Sequence, residues 1–292
     1  MLSQLFFNAL VTGSIYSLVG LGLSLILAQA KFINFSHGAL VAVAPYGALF
    51  FIDQLQLNFY ASVSMGILFS IAVGCLLEIF IFRPSRQANA SSLILLIVSL
   101  GVYICIQNTI SLTFGDSARS IRSGNHTATL VFFGGSLTLI QLATIITSFL
   151  ATCCLLLLVK KTKVGAGMRA ITSDPELARV FGININRIIL LTFAIGSGIA
   201  GIAGILVALD VDMTPRMGMS LLVMAMVTVI FGGSKNLIGV TVGAYLLALA
   251  QQFAVWNINS QWQDAITFLV LIVFLLFKPA GLKGLQLRKG NI

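Results

Sequence analysis

Polar side chains are few in this sequence, and several of them interrupt long apolar stretches. Asn8, Thr12 and Tyr16 lie in the first stretch, and Asn34 and His37 lie at the entrance of the second. Amides and hydroxyls can line a path for a neutral or zwitterionic solute. They can also form hydrogen bonds between helices, which contribute about 0.6 kcal/mol each on average in membranes. The five residues are therefore candidates for a translocation path, with a structural role as the alternative.

Motifs for catalysis are absent from the sequence. It contains no G-x-x-x-x-G-K-[ST] loop for the phosphates of ATP, and no H-E-x-x-H or Cys/His spacing for a metal ion. The four cysteines lie in apolar stretches, where cysteine usually behaves as a small hydrophobic residue. The sequence therefore predicts a protein that is not an enzyme and that binds no cofactor and no metal itself.

Carboxylates of the kind that proton-coupled pumps use are missing from the centres of the apolar stretches. Glu78 comes nearest, but it lies about one turn from the end of its stretch and close to Arg83. Its expected role is a structural ion pair. These features indicate a pore-forming subunit that takes its energy from elsewhere.

The amino-acid composition indicates which kind of secondary structure positions these residues. Of the 292 residues, 58% are apolar and only 9% are charged, whereas a soluble domain has about 25% charged residues. Lipid must therefore solvate the chain. We expect an all-α polytopic membrane protein with eight to ten transmembrane or re-entrant helices, in one domain covering residues 1–292. The candidate spans, three of them short, are 5–29, 37–52, 60–82, 90–114, 138–159, 188–209, 218–231, 237–257 and 262–277.

Alternate loops differ strongly in charge. The net charge of +9 comes from short basic clusters between the spans, so it does not indicate nucleic-acid binding. The positive-inside rule places the basic set in the cytoplasm, with the amino terminus outside and the carboxyl terminus inside. One set of loops holds 14 of the 17 basic residues, namely Lys31, Arg83, Arg86, Lys160, Lys161, Lys163, Arg169, Arg179, Arg187, Lys235, Lys278, Lys283, Arg288 and Lys289.

Two loops are long. Residues 115–136 form a polar loop that is external in this topology, and residues 160–187 form an internal loop. Within the internal loop Asp174 can cap a short helix, Pro175 suits its first position and Glu176 complements its dipole. Gly182 then ends the helix. Such a helix usually docks onto a partner; a solvated connecting helix is the alternative.

A weak internal repeat is visible. Gly20–Leu23 leads to Asn34–Gly38 and an apolar run, and Gly201–Gly204 leads to Pro215–Gly218 and another. Transporters are often built from duplicated halves, which is the arrangement this pattern predicts.

The whole chain resembles the membrane permease subunits of bacterial ABC importers for branched-chain amino acids. Each motif is weak alone, and their order and number carry the likeness. The matching residues are Gly13–Tyr16, Gly20–Leu23, Ile33–Gly38, Glu78, Arg83–Arg86, Gly165–Ala170, Asp174, Ala178, Gly182–Asn184, Phe193–Gly196, Ala200–Gly204, Phe231–Ser234, Gly239, Gly243 and Lys278–Leu282.

The resemblance implies a fold of the vitamin-B12- and ribose-permease kind. It also implies a homologous second permease chain, two cytoplasmic ATPase subunits that bind ATP, and a periplasmic solute-binding protein. Loop 160–187 would couple the permease to an ATPase. The residues expected to serve that coupling are Gly165, Arg169, Asp174, Pro175, Glu176, Ala178 and Gly182.

One residue differs from the usual pattern of these permeases and bears on the substrate. Such permeases usually have an acidic residue after the His–Gly pair, whereas this chain has Ala39. Branched-chain or other neutral amino acids remain the expected solutes. The alternatives are an importer for urea or short amides, and a stand-alone channel or secondary carrier for a small neutral solute.

Overall fold

Nine apolar helices match the nine predicted spans. The computed structural model describes residues 2–121, 129–132, 134–257 and 262–277, and these helices lie within those ranges. They are α1 Leu2–Ala30, α2 Ser36–Asp53, α3 Phe59–Leu77, α5 Ser92–Phe114, α6 Leu139–Lys161, α9 Ile185–Asp210, α10 Met217–Gly232, α11 Leu237–Asn257 and α12 Gln263–Phe277.

Shorter elements connect the spans. A π-helical turn, Glu78–Phe82, and α4, Arg83–Gln87, continue from α3, while α7, Lys163–Ser173, and α8, Pro175–Val180, join α6 to α9. Strands β1, Thr129–Phe132, and β2, Gly135–Thr138, form an antiparallel hairpin at the end of the predicted external loop. The prediction of an all-α polytopic membrane protein is confirmed, with this hairpin as an addition.

Three helices form the interior of the bundle. Two thirds or more of the residues in the spans of α1, α2 and α9 are buried, against less than a third in those of α3, α5 and α6. The outer helices expose large apolar side chains such as Leu68, Ile97 and Phe149. Lipid is the natural solvent for that surface, because apolar side chains facing hydrocarbon lose nothing by exposure.

Glycines bring the inner helices into close contact. A Cβ at Gly22 would lie 2.8 Å from the carbonyl oxygen of Gly196, and one at Gly196 would lie 3.2 Å from that of Gly22. A Cβ at Gly204 would overlap the carbonyl oxygen of Val41. Because lipid tails are as apolar as leucine, close packing has to hold such helices together. The backbones of α1, α2 and α9 therefore meet where only glycine fits.

The second span starts below the surface of the bundle. The Ser92 hydroxyl donates to the Lys31 carbonyl, so Lys31 lies level with the start of α5. The Phe35 amide donates to the Ser99 hydroxyl, two helical turns further along α5. At 1.5 Å per residue, α2 starts about 10 Å deeper than Lys31. This end of the bundle, which also carries Arg83 and Arg86, is called the basic end below.

The two segments of the predicted repeat meet in the structure. Helix α1 packs against α9, α10 and α11, and α9 packs against α1, α2 and α3. At the centre a Cβ on Gly38 would lie 2.7 Å from the Gly218 carbonyl oxygen, and one on Gly218 would overlap the Gly38 carbonyl oxygen. Helices α1 and α9 run in opposite directions along the bundle. Two inverted copies of one three-helix unit, α1–α3 and α9–α11, would pack in this reciprocal way.

Gly204→Ala should destabilise the bundle, since the added methyl group would strike the backbone of α2 rather than a flexible side chain. Overpacking of this kind costs about 1–3 kcal/mol, so we expect a lower melting temperature in detergent. Gly101→Ala is the matched control, because a Cβ at Gly101 meets nothing within 4 Å. Equal melting temperatures for the two variants would contradict the proposed role of Gly204.

Candidate coupling segment and polar lining

The loops that the charge pattern assigned to one side meet at the basic end. The Lys31 ammonium donates to the Thr172 carbonyl at 3.1 Å, which joins the end of α1 to α7. Arg169 and Lys235 line one cavity, and Arg83 and Arg187 line another. Four basic loops therefore share one end of the bundle, as predicted. The four basic residues from Lys278 onwards and the Lys278–Leu282 motif lie outside the described residues.

Residues of the remaining loops, which hold few basic residues, meet at the other end of the bundle. Arg119 and Met213 exchange two backbone hydrogen bonds, of 2.9 and 2.8 Å. The Gln141 amide lies 3.5 Å from a carboxylate oxygen of Asp210, which connects α6 to the end of α9. The charge asymmetry of the sequence thus corresponds to two physical ends of the molecule.

The internal loop forms two helices that join at Asp174. Residues 163–184 are called the coupling segment below. The Asp174 amide closes α7 by donating to the Ala170 carbonyl. Its carboxylate caps α8 by accepting from the amides of Glu176 and Leu177, at 2.9 and 3.0 Å. Pro175 stands in the first turn of α8. The predicted cap is therefore present, and the same residue also ends the helix before it.

Gly182 ends α8 in a left-handed conformation, with φ of +77°. Its amide donates to the Arg179 carbonyl, and the amide of Ile183 donates to the Ala178 carbonyl. These two bonds form a Schellman motif, in which glycine avoids the steric cost of positive φ. Both ends of α8 are thus closed by specific hydrogen bonds.

Gly165 and Arg169 attach the coupling segment to α6. A Cβ at Gly165 would overlap the carbonyl oxygens of Leu158 and Val159. The Arg169 guanidinium donates to the Val159 carbonyl, one of the last acceptors of α6. Helix α7 is therefore packed tightly on the end of α6 at Gly165.

The exposed face of α8 is apolar. Ala178 is 3% exposed and turns inward, whereas Leu177, Val180 and Phe181 are 57%, 83% and 77% exposed. Glu176 and Arg179 are also exposed beside them. The sequence analysis named Ala178 and missed these three side chains. Their i, i+3, i+4 spacing within a polar loop is the signal that could have found them.

The candidate path residues of the second span surround the start of α2. Asn34 Oδ1 accepts from the Ser36 amide at 3.1 Å and from the Ser36 hydroxyl at 2.6 Å. His37 Nε2 donates to the Val19 carbonyl of α1 at 3.2 Å. Both side chains are fully buried. Asn34 Nδ2 and His37 Nδ1 find no hydrogen-bond partner among the described residues.

The other candidate path residues lie in the first half of α1. Asn8 accepts from the Gln4 amide at 3.1 Å, and Gln4 also donates to Ser136 in β2. Asn8 and Thr12 are half-buried, whereas Tyr16 is buried against a cluster that includes Met224. Val19, which His37 contacts, is 11 residues beyond Asn8, or about 16 Å along the helix, but only three residues beyond Tyr16. Asn8 and Thr12 thus lie nearer the outer end, whereas Tyr16 lies about one turn from the level of His37.

Glu78 forms a buried ion pair, as its position in the sequence suggested, but its partner is Arg86. The Arg86 guanidinium donates to both carboxylate oxygens of Glu78, which is 1% exposed. The Arg83 amide donates to the Glu78 carbonyl, and this five-residue spacing makes the turn π-helical. A bidentate arginine offsets the cost of burying the carboxylate.

The fold is that of a multi-pass membrane protein, with seven of the described helices long and apolar enough to cross a membrane. Residues 5–275 match the family model described as the permease component of the branched-chain amino acid transport system, so the chain belongs to that family.

Named relatives span nearly the whole chain. The high-affinity branched-chain amino acid transport system permease protein LivH of Salmonella typhimurium is 29% identical, with 96% of this chain and 95% of LivH covered. The corresponding protein BraD of Pseudomonas aeruginosa is 29% identical, with 95% and 94% covered. The ribose import permease protein RbsC of Escherichia coli is 22% identical, with 92% and 84% covered.

Arg86→Gln should destabilise the protein strongly, because it leaves the buried Glu78 carboxylate without its partner. Breaking such a pair costs about 3–5 kcal/mol, which thermal unfolding in detergent would detect. Changing Glu78 and Arg86 together to glutamine should restore much of the loss. Arg83→Gln is the control and should have little effect; an equal loss there would show that the wrong arginine has been assigned.

Proposed function

We propose that this chain is a permease subunit of an ATP-driven ABC importer for branched-chain amino acids. It pairs with a homologous second permease chain in the bacterial inner membrane, with its amino terminus outside and its carboxyl terminus in the cytoplasm. Two ATPase subunits bind ATP and dock at the basic end. A periplasmic binding protein delivers the solute to the opposite end. Family membership and the names of LivH and BraD support the solute class.

The apolar face of α8 is the observation that carries the coupling proposal. Leu177, Val180 and Phe181 expose apolar area at the end where the positive-inside rule places the cytoplasm. A large side chain such as Phe181 can fill a pocket of a partner and exclude water around it, as interface hot spots do. The charged groups of Glu176 and Arg179 would then lie at the rim, where charges contribute to orientation more than to affinity.

The hydrogen bonds around the coupling segment can carry movement from α8 into the bundle. Asp174 and the Gly182 turn close α8 at both ends, so a force applied to α8 displaces it as a short rigid body. Helix α7 bonds to α1 through Thr172, which accepts from Gln29 and Lys31. Because α1 packs on α9, α10 and α11, displacement of the segment reaches the interior helices.

The translocation path is a proposal built on these five polar residues. Asn8, Thr12 and Tyr16 would meet the solute in the outer half of α1. Asn34 and His37 would contribute at the break before α2, where two buried ring and amide nitrogens lack a partner among the described residues. Broken backbone at membrane depth is usual where transporters bind their solutes.

Val180→Asp should weaken docking of the ATPase, because it would bury a charge in an apolar interface. The expected loss of affinity is about tenfold or more, measured by titrating purified ATPase onto the permease pair. Val131→Asp is the matched control, since Val131 is 73% exposed on β1 at the other end of the molecule. Unchanged affinity in Val180→Asp would place the docking surface elsewhere.

Reconstitution tests the solute and the energy source together. Proteoliposomes with both permeases, the ATPases and the binding protein should take up L-leucine, L-isoleucine or L-valine only when ATP reaches the ATPases. Urea should not be accumulated. Solute flux through this chain alone, without ATPases, would refute the importer and indicate a channel or secondary carrier.

A further inference from the structure

A cavity of about 180 Å³ lies at the basic end, between the π-helical turn that follows α3 and the start of α9. Its volume corresponds to several waters, at about 30 Å³ each in the liquid, and is sufficient for a phosphate group. The exposed apolar side chains of α8 do not belong to its wall. The lining residues are Glu78, Ile79, Arg83, Asn184, Asn186, Arg187 and Leu190.

Two arginines line this cavity from separate elements. Arg83 begins α4, and Arg187 lies in the first turn of α9. Both side chains are exposed, and within the described residues neither forms an ion pair. Arginine binds phosphate oxygens through parallel N–H donors, which makes it the usual partner where phosphate is recognised. The two guanidinium groups can therefore bind an anion in the cavity.

Two asparagines add hydrogen-bond donors beside the arginines. Asn184 Oδ1 caps α9 by accepting from the Arg187 amide at 3.1 Å, so the other half of this side chain, Nδ2, is a donor that the cap does not use. The Asn186 side chain is half-buried and forms no hydrogen bond to the other described residues. The polar part of the wall therefore consists mainly of donors, which a ligand rich in acceptor oxygens complements.

The one carboxylate in the wall is already paired. Both oxygens of Glu78 accept from Arg86, and the residue is 1% exposed. Glu78 therefore offers no free acceptor to an ammonium group, and the two lining arginines give the cavity a net positive charge. Such a cavity favours a phosphate with a net negative charge. It disfavours a zwitterionic headgroup, whose cationic part would lie beside the arginines without a partner.

The cavity lies at the level of the lipid headgroups. The apolar span Phe59–Gln87 has 29 residues, and Arg83 is about 36 Å along it from Phe59. The hydrocarbon core of a bilayer is about 30 Å thick, and about 40–45 Å with its headgroup layers. Ile79 and Phe80, which are 38% and 71% exposed, continue the lipid-facing surface of α3 up to the cavity. A phospholipid can thus contact the arginines and these apolar side chains together.

We propose that this cavity binds the phosphate of an anionic phospholipid. Arg83 and Arg187 contact the phosphate oxygens, Asn184 and Asn186 donate to them, and the acyl chains lie against the apolar surface of α3. Basic pockets between transmembrane helices bind lipid headgroups in this way. Inorganic phosphate shares the charge, but it has no apolar part for that surface. Because Asn184 is the last residue of the coupling segment, the bound lipid fixes that end of the segment at the membrane surface.

Native mass spectrometry of the purified full chain in detergent tests this site, because it resolves each bound lipid by its mass. Phosphatidylglycerol should bind about tenfold or more tightly than phosphatidylcholine with the same acyl chains. Arg187→Gln and Asn186→Leu should each weaken phosphatidylglycerol binding by about tenfold, as expected for the loss of a hydrogen bond to a charged group. Neither side chain is buried in the packed interior, so both variants should fold.

Arg179→Gln is the matched control, since Arg179 is exposed at the same end, carries the same charge and does not line the cavity. Equal phosphatidylglycerol affinity in Arg187→Gln and Arg179→Gln would overturn the proposal, as would equal affinity of the unmodified chain for the two lipids. Displacement of the lipid by inorganic phosphate, but not by chloride at the same ionic strength, would also overturn it and assign the cavity to free phosphate. Failure of the proposed importer function would leave these outcomes unchanged, because the measurement needs neither ATPase nor solute.

Discussion

Close contact between glycine backbones is the constraint on which the rest of this structure depends. In lipid, apolar side chains gain nothing by leaving the solvent, so helices associate through tight packing and hydrogen bonds. Gly22 meets Gly196, Gly38 meets Gly218, and Gly204 meets Val41. These contacts hold α1, α2, α9 and α10 close together. Ser70 of α3 packs against them and donates to backbone carbonyls of α2 and α9.

Hydrogen bonding within the protein also explains how the break before α2 is tolerated. Backbone groups freed at membrane depth must find partners within the protein. Ser99 of α5 accepts from the Phe35 amide, Asn34 accepts from the Ser36 amide, and Val19 accepts from His37. Asn34 and His37 thus stabilise the break whether or not they also meet the solute. Structural and transport roles can coincide at these two residues.

The basic end combines firm attachment with an exposed surface. Helix α7 is held by α6 and α1, while α8 projects an apolar face beyond it. A segment built in this way can receive a partner without reorganising itself, which lowers the entropic cost of association. Thr172 bonds α7 to α1, so a partner bound at the proposed docking surface of α8 would be connected to the bundle through α7. Coupling between α8 and the bundle would then need only a movement of α7 and α8 as one packed unit.

The sequence by itself determined the membrane class, the positions of the nine apolar helices, the separation of charge between two ends, and both caps of α8. Each follows from local composition or from groups within a few residues of one another, as with Asp174 and Gly182. Only the tertiary structure decided that Ala178 turns inward while Phe181 is exposed, that Glu78 pairs with Arg86, and that Arg83 and Arg187 line one cavity. These depend on which helices meet and at what height, and glycine contacts between distant segments set that geometry.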